Sequence, residues 1–247
     1  MMNSLVLCEG KTDCILLQYY FEKVHSWSRK EGKAFHAVNK AWSNIYTKED
    51  NHLFISETKG CSRLVEGLVT AITRNENVAP GSCNEFFDKI IIFTDNDDKN
   101  TVGNLIDDIK NNLQKTSVVF ATPIQKNMWN KGTVQTIEGK KQFELYVMFI
   151  PFDENGALET YLLNCVASND PYDKAIIDKG NAFVDTIDPN EKYLKQRRLK
   201  TKAKFDVYFS VRTAVDQYSE RQSILKSVEW EKYDTIRNDF RVFEELG

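Results

Sequence analysis

Leu5-Val6-Leu7-Cys8-Glu9-Gly10-Lys11-Thr12-Asp13 is the stretch whose reading decides the fold. Four apolar residues run without a break into a carboxylate, a glycine and a second carboxylate. An unbroken apolar run is the pattern of a strand covered on both faces in a parallel sheet. The pattern returns in Ile90-Ile91-Ile92-Phe93-Thr94-Asp95-Asn96-Asp97-Asp98. In open α/β sheets the ligand crevice lies beyond the carboxyl ends of the strands, so Glu9, Asp13, Asp95 and Asp97 are predicted to converge there. Clustered carboxylates repel one another unless cations separate them, and hard divalent cations prefer oxygen ligands.

Each motif also has a plain structural reading. Asp13 suits a helix cap and the dipole at a helix N-terminus, and Glu9 suits a solvated strand end. Asp-Asn-Asp-Asp suits a β-to-α turn as readily as an ion site. The two motifs in succession, each at a strand end, are more specific than either alone.

Working outward, Ile15, Leu16, Tyr19, Tyr20 and Val24 mark a helix over 12–24. Residues 26–51 show no clean period and read as an insertion, with a short strand at 34–38. A strand over 52–56 precedes Glu57-Thr58-Lys59-Gly60, a helix striped by Leu64, Val65, Leu68, Val69 and Ile72, and a loop over 75–84. After the strand at 89–94, Val102, Leu105, Ile106, Ile109 and Leu113 give an amphipathic helix. A fourth strand is expected near Val118, then an antiparallel hairpin from 133–138 and 143–149. This β-α-β-α-β-α-β order predicts parallel strands with right-handed crossovers. From Asp153 the texture is helical, starting at Asn155, broken at Pro171 and Pro189, with a long helix over 191–214 and a last one over 229–245. The division is a core of 1–150 and a helical extension of 151–247 packed on it.

The 247 residues carry a net charge of −3, which gives no global attraction to polyanions. A polyanion site must be local, and residues 192–204 supply one: Lys192, Lys195, Arg197, Arg198, Lys200, Lys202 and Lys204 are seven basic positions in thirteen. Such a run is a solvated face or a phosphate-backbone track. Tyr193 and Tyr208 read as base-stacking or as packing residues. Cys8, Cys14, Cys61, Cys83 and Cys165 lack CxxC spacing and read as reduced thiols. No apolar run is long enough to span a membrane, and no basic, apolar leader precedes the first strand, so a cytoplasmic protein is expected.

Glu9-Gly10 with Asp13, Asp95-Asn96-Asp97 and the β-α order between them resemble the Toprim catalytic fold of topoisomerases, primases and overcoming-lysogenization-defect (OLD) nucleases, over about residues 4–120. The chain looks closest to stand-alone Toprim-like proteins, including those of phage defence. The resemblance implies a Toprim-like central parallel sheet flanked by helices, with a β-hairpin and a helical C-terminal extension. It implies Mg²⁺ or Mn²⁺ held by Glu9, Asp13, Asp95 and Asp97, with Glu9 also a general acid or base. Gly156-Ala157-Leu158-Glu159 looks like the OLD-type Gly-x-Leu-Glu pattern and adds Glu159, otherwise an exposed helix residue. Lys202-Ala203-Lys204 is similar to the lysine-bearing C-terminal helix, with Lys204 ahead of Lys202 as the catalytic cation. Lys59, Lys195, Arg197, Arg198, Lys200 and Lys202 are the expected nucleic-acid contacts. The implied activity is a metal-dependent nuclease on DNA or RNA. The alternatives are phosphate or nucleotidyl transfer, or a non-catalytic or partner-activated effector. The chain has no GxxxxGK[ST], so a separately encoded ATPase is the partner the resemblance suggests.

Overall fold

The computed structural model describes residues 1–38, 40–82, 85–215 and 220–247; Cys83 and Asn84 lie outside the described residues. Its centre is one mixed sheet of eight strands: β1 (Asn3–Cys8), β2 (Ser28–Lys30), β3 (Ser43–Lys48), β4 (Asn51–Glu57), β5 (Lys89–Asp95), β6 (Val119–Phe120), β7 (Trp129–Thr136) and β8 (Gly139–Ile150). The spatial order is β2-β3-β4-β1-β5-β8-β7-β6. Only the middle four strands are parallel, with Val6 opposite Ile55 and Ile91, and Ile91 opposite Tyr146. The outer pairs run antiparallel on both sides.

Eight α-helices accompany the sheet among the described residues: α1 (Lys11–Tyr19), α2 (Leu64–Glu76), α3 (Thr101–Leu113), α4 (Leu158–Asn169), α5 (Pro171–Ile187), α6 (Arg197–Arg212), α7 (Arg221–Ser227) and α8 (Asp234–Asp239). Side chains alternate across a strand, so each central strand feeds two cores. Val6, Cys8, Ile91 and Phe93 pack against α1 and the C-terminal helices, through residues such as Leu162, Phe205 and Trp230. Leu5, Leu7, Ile90 and Ile92 pack against α2 and α3. The C-terminal helices thus share a core with the sheet. No helix among the described residues is long and apolar enough to cross a membrane.

Several expectations are corrected. Residues 34–38 form no strand, although Phe35, Ala37 and Val38 are buried under the sheet; the segment 26–51 instead contributes β2 and β3 to one sheet edge. Pairing with β4 gives this polar, aperiodic stretch its backbone partners, which periodicity cannot reveal. The strand near Val118 is the two-residue β6 on the opposite edge, and the fourth parallel position belongs to β8, the second arm of the hairpin. Asn75 lies inside α2, exchanging hydrogen bonds with the Phe87 backbone, rather than in a loop. Helix α4 begins at Leu158, not Asn155, and Pro171 opens α5 instead of breaking a helix, as a missing N–H permits at the first position.

The long basic helix starts six residues later than predicted, at Arg197, because the Asp188 carboxylate accepts N–H bonds from Lys192, Tyr193 and Leu194 and holds 191–196 in a non-helical turn. The single last helix is three short pieces, the 3₁₀ turns Trp230–Lys232 and Phe240–Leu246 on either side of α8. These turns drive Trp230, Phe240 and Phe243 into the core. Trp230 is fully buried, with its indole N–H on the Leu225 carbonyl at 3.0 Å. Trp230→Ala is expected to cost about 3–5 kcal/mol, the range for emptying a buried aromatic site, read as a lowered midpoint in urea denaturation.

Candidate functional site

Strand β1 is flanked by β4, reached through α1 on one face, and by β5, reached through α2 on the other. The chain passes from β1 outward to β4 and then from β4 back past β1 to β5, so the β1–β5 boundary is a topological switch point, where a crevice opens beyond the strand ends. Glu9 directly follows β1, and Asp95 is the last residue of β5. They face a cavity of about 260 Å³, also lined by Asp13, Glu57, Lys59, Glu159, Arg198 and Lys202.

Glu9, Asp13 and Asp95 are each held by their own donors. Glu9 Oε2 accepts from the Thr94 hydroxyl at 2.9 Å, and its carboxylate also takes backbone N–H bonds from Asp95 and Cys61. Asp13 Oδ2 accepts the Gly10 N–H at 2.8 Å in the first turn of α1. Gly10 is extended, with φ −134°, so its contribution is that N–H rather than an unusual turn. Asp95 Oδ1 accepts the Leu158 N–H at 2.9 Å and so ties the first turn of α4 to the end of β5.

The neighbouring Asn96 completes this attachment. Its N–H donates to the Ile150 carbonyl, its carbonyl accepts from Gly156, and its amide donates to the Pro151 and Glu154 carbonyls. Gly156 sits so close to Thr160 that a Cβ there would lie 2.9 Å from its side chain. This packing brings Glu159 into the crevice. Glu159 is 4 % exposed, and its Oε1 is buried without a hydrogen-bond partner among the described residues. A buried carboxylate oxygen without a donor is costly, and its surroundings fit a cation.

Burial is the main cause of the raised pKa values here. It lifts Asp13 to about 8, against the Gly10 N–H and with the help of Glu9 and Glu159. Burial, then Asp13, Glu9 and Glu159, push Asp95 well above the ordinary carboxyl range. Burial raises Glu9 too, opposed by its Thr94 hydrogen bond.

The structure divides the predicted site residues. Glu9, Asp13, Asp95, Glu159, Lys59, Arg198 and Lys202 line the cavity. Asp97 does not: it is exposed and paired with Arg197 at 3.0 Å. The alternation of an extended segment fails because Asn96 anchors the chain at the end of β5, and the backbone then bends away towards α3. Lys204 is also elsewhere, paired with Asp185 of α5 at 2.8 Å, one helical turn or less from Lys202 but on a different face. Lys200 pairs with Glu191 at 2.8 Å, and Lys195 is exposed outside the cavity. Tyr208 is buried in the core, whereas Tyr193 is exposed.

Glu57, Thr94 and Asn96 went unrecognised in the sequence. Glu57 ends β4 as Glu9 follows β1, and that repetition of a strand-end carboxylate was the available signal. Lys59 adopts φ +65° and Gly60 φ +123°, a left-handed pair that turns the chain at the crevice, with the Gly60 N–H on the Glu9 carbonyl at 2.8 Å.

The family model described as "Protein of unknown function (DUF3226)" matches residues 3–243. The chain belongs to the DUF3226 family. No curated protein matches this DUF3226 chain. Among solved structures, a hypothetical protein from Pyrococcus horikoshii OT3 is similar, with 16 % identity, a TM-score of 0.53, and coverage of 100 % of this chain and 99 % of that one. At that identity the likeness concerns the fold alone, and it extends over the C-terminal helices as well as the sheet.

The oxygen-only donor set suits a hard divalent cation. No group of three His, Cys, Asp or Glu side chains among the described residues is already arranged to hold a metal. The reason is local: like charges repel, and Glu9, Asp13 and Asp95 have turned onto N–H and O–H donors instead of one another.

The raised pKa values set a sign for metal-free stability. Asp13 holds its proton when folded and gives it up near pH 3.8 when unfolded, so its contribution is complete below 3.8 and is lost as pH rises to about 8. Urea midpoints measured in EDTA are expected to fall between pH 5 and 8, and Asp13→Asn is expected to flatten that slope. A wild-type midpoint rising over the same interval would contradict the burial assigned to Asp13.

Proposed function

We propose that this chain is a Toprim-type, divalent-metal-dependent nuclease that hydrolyses nucleic-acid phosphodiester bonds in the β1–β5 crevice. The observation that carries the reading is the convergence of Glu9, Asp13, Asp95 and Glu159 on one cavity, with Glu159 Oε1 buried and unpartnered. Support also comes from the parallel core. In chain order its strands stand second, first, third and fourth, so both acidic motifs reach the switch point.

Asp13, Asp95 and Glu159 are the residues that would hold Mg²⁺ or Mn²⁺, with Glu9 beside them. Such a cation supplies charge for the phosphate oxygens and lowers the pKa of its bound water. Arg198 and Lys202 line the cavity from α6 and bind the phosphate from the side opposite the strand ends. Lys202 also interacts favourably with Asp13, which places its charge near the acidic groups. Lys59 approaches from the turn after β4. In hydrolysis the water oxygen forms a bond to phosphorus, the bond from phosphorus to the leaving sugar oxygen breaks, and that oxygen takes a proton. Glu9, its pKa raised by burial, suits the proton exchange at its carboxylate.

In this reading the cation at the scissile phosphate is Lys202 rather than Lys204. Lys202 takes that role, since the Lys204 ammonium is engaged by Asp185. Cleavage of supercoiled plasmid, linear DNA and single-stranded RNA with Mg²⁺ or Mn²⁺ tests the assignment. Asp95→Asn is expected to abolish turnover, Lys202→Ala to lower it about 10²-fold or more, and Lys204→Ala to change it little. An equal or greater loss in Lys204→Ala would reverse the lysine assignment. Metal binding that disappears in Asp95→Asn, without cleavage by any preparation, would transfer the crevice to a partner-activated or binding role.

A further inference from the structure

The crevice does not account for the segment that leads into α6. Residues 189–196 join α5 to α6, and the Asp188 carboxylate holds this turn by three backbone N–H bonds, from Lys192 at 3.0 Å, Tyr193 at 2.7 Å and Leu194 at 2.8 Å. Those bonds also hold the Asp188 carboxyl below the usual carboxylate range, so the clasp is anionic at neutral pH. What the clasp presents is Tyr193, whose side chain stands 70 % exposed. The Lys192 ammonium lies over its ring, 5.0 Å from the centroid.

An exposed tyrosine alone means little, but this one stands among more cations than the neighbouring Asp188 and Glu191 carboxylates neutralise. Lys192, Lys195, Arg198 and Lys202 form no ion pair among the described residues, whereas Arg197 and Lys200 are paired with Asp97 and Glu191. Arg198 and Lys202 line the cavity, and Tyr193 lies five residues before Arg198. Even a fully extended chain puts the Tyr193 and Arg198 Cα atoms within about 18 Å of each other.

We infer that Tyr193 is a stacking platform for an unpaired base, so that the substrate of the β1–β5 crevice is single-stranded nucleic acid, tracked by Lys192 and Lys195 and delivered to Arg198 and Lys202. The inference rests on the phosphodiester reading of that crevice and specifies its substrate. An exposed ring gains stacking energy only from a base that is not already stacked in a duplex, while the surrounding cations bind backbone phosphate without reading sequence. A preordered turn also reduces the entropy lost when the ring is covered. A neutral apolar partner would use the ring and leave the unpaired cations Lys192, Lys195, Arg198 and Lys202 without a counter-charge.

The test is fluorescence anisotropy of a labelled oligothymidylate and of a duplex of equal length, with Ca²⁺ in place of Mg²⁺. Tyr193→Ala is expected to weaken single-strand binding by about 5- to 100-fold, the range for losing one stacked base, and to leave duplex binding unchanged. Tyr193→Trp is expected to keep the affinity, with its indole emission quenched as the oligonucleotide binds. Tyr172→Ala, which removes an equally exposed tyrosine from α5, serves as a control and is expected to have no effect. Wild-type affinity in Tyr193→Ala, or equal losses on single strand and duplex, would overturn the inference. Plasmid cleavage by the wild type together with that result would leave the nuclease reading standing. Tyr193-dependent single-strand binding without cleavage of any substrate would remove the nuclease reading and keep Tyr193 as a stacking site for a bound single strand.

Discussion

The constraint on which the structure depends is the crowding of carboxylates at the ends of two adjacent parallel strands. Asp13 and Glu159 are nearly withdrawn from water around one cavity, with the half-buried Asp95 and Glu9 beside them. Such a group is tolerated only where donors or cations meet it. The fold meets most of that demand with main-chain N–H groups: Gly10 for Asp13, Leu158 for Asp95, and Asp95 and Cys61 for Glu9. Glu159 is the exception, with Oε1 left without a hydrogen-bond partner among the described residues.

These contacts join the two halves of the chain. The bond from Leu158 to Asp95 and the four bonds of Asn96 fix the start of α4 against β5, and α4 lies in the same apolar core as α6 and the C-terminal 3₁₀ turns. That core positions Arg198 and Lys202 across from the acidic groups. The C-terminal helices therefore supply both hydrophobic cover for one face of the sheet and the cationic wall of the crevice. The antiparallel strands β2, β3, β6 and β7 extend the sheet away from the site and bring no residue to the cavity lining, whereas Glu57 and the turn after it come from the parallel strand β4.

Motif spacing proved a better guide to the strand ends than to side-chain direction. Glu9, Asp13 and Asp95 were legible because each follows or ends an apolar run, and Glu159 because it opens a helix after Gly156. Asp97 departs from the expected position because strand alternation does not extend two residues past the end of β5, where Asn96 bends the chain. Lys204 and Lys202 are indistinguishable by composition; they separate only because successive residues on a helix point about 100° apart, and Asp185 lies on one of those faces. Glu57 and Thr94 carry no motif, and Asn96 sits in one without a role of its own; Thr94 and Asn96 gain theirs from side-chain hydrogen bonds to partners 55 or more residues away in the chain.

The sequence by itself determined the parallel core, the two acidic strand ends, the amphipathic helices α2 and α3 and the hairpin β7–β8, because these follow from local periodicity and from turn chemistry within a few residues. The tertiary structure decided which strand took the fourth parallel place, how the polar segment 26–51 found backbone partners, where α6 began, and which charges faced the crevice. Each of those outcomes depends on a long-range hydrogen bond, ion pair or packing contact, whose formation requires both partners to be in place and is written in neither alone.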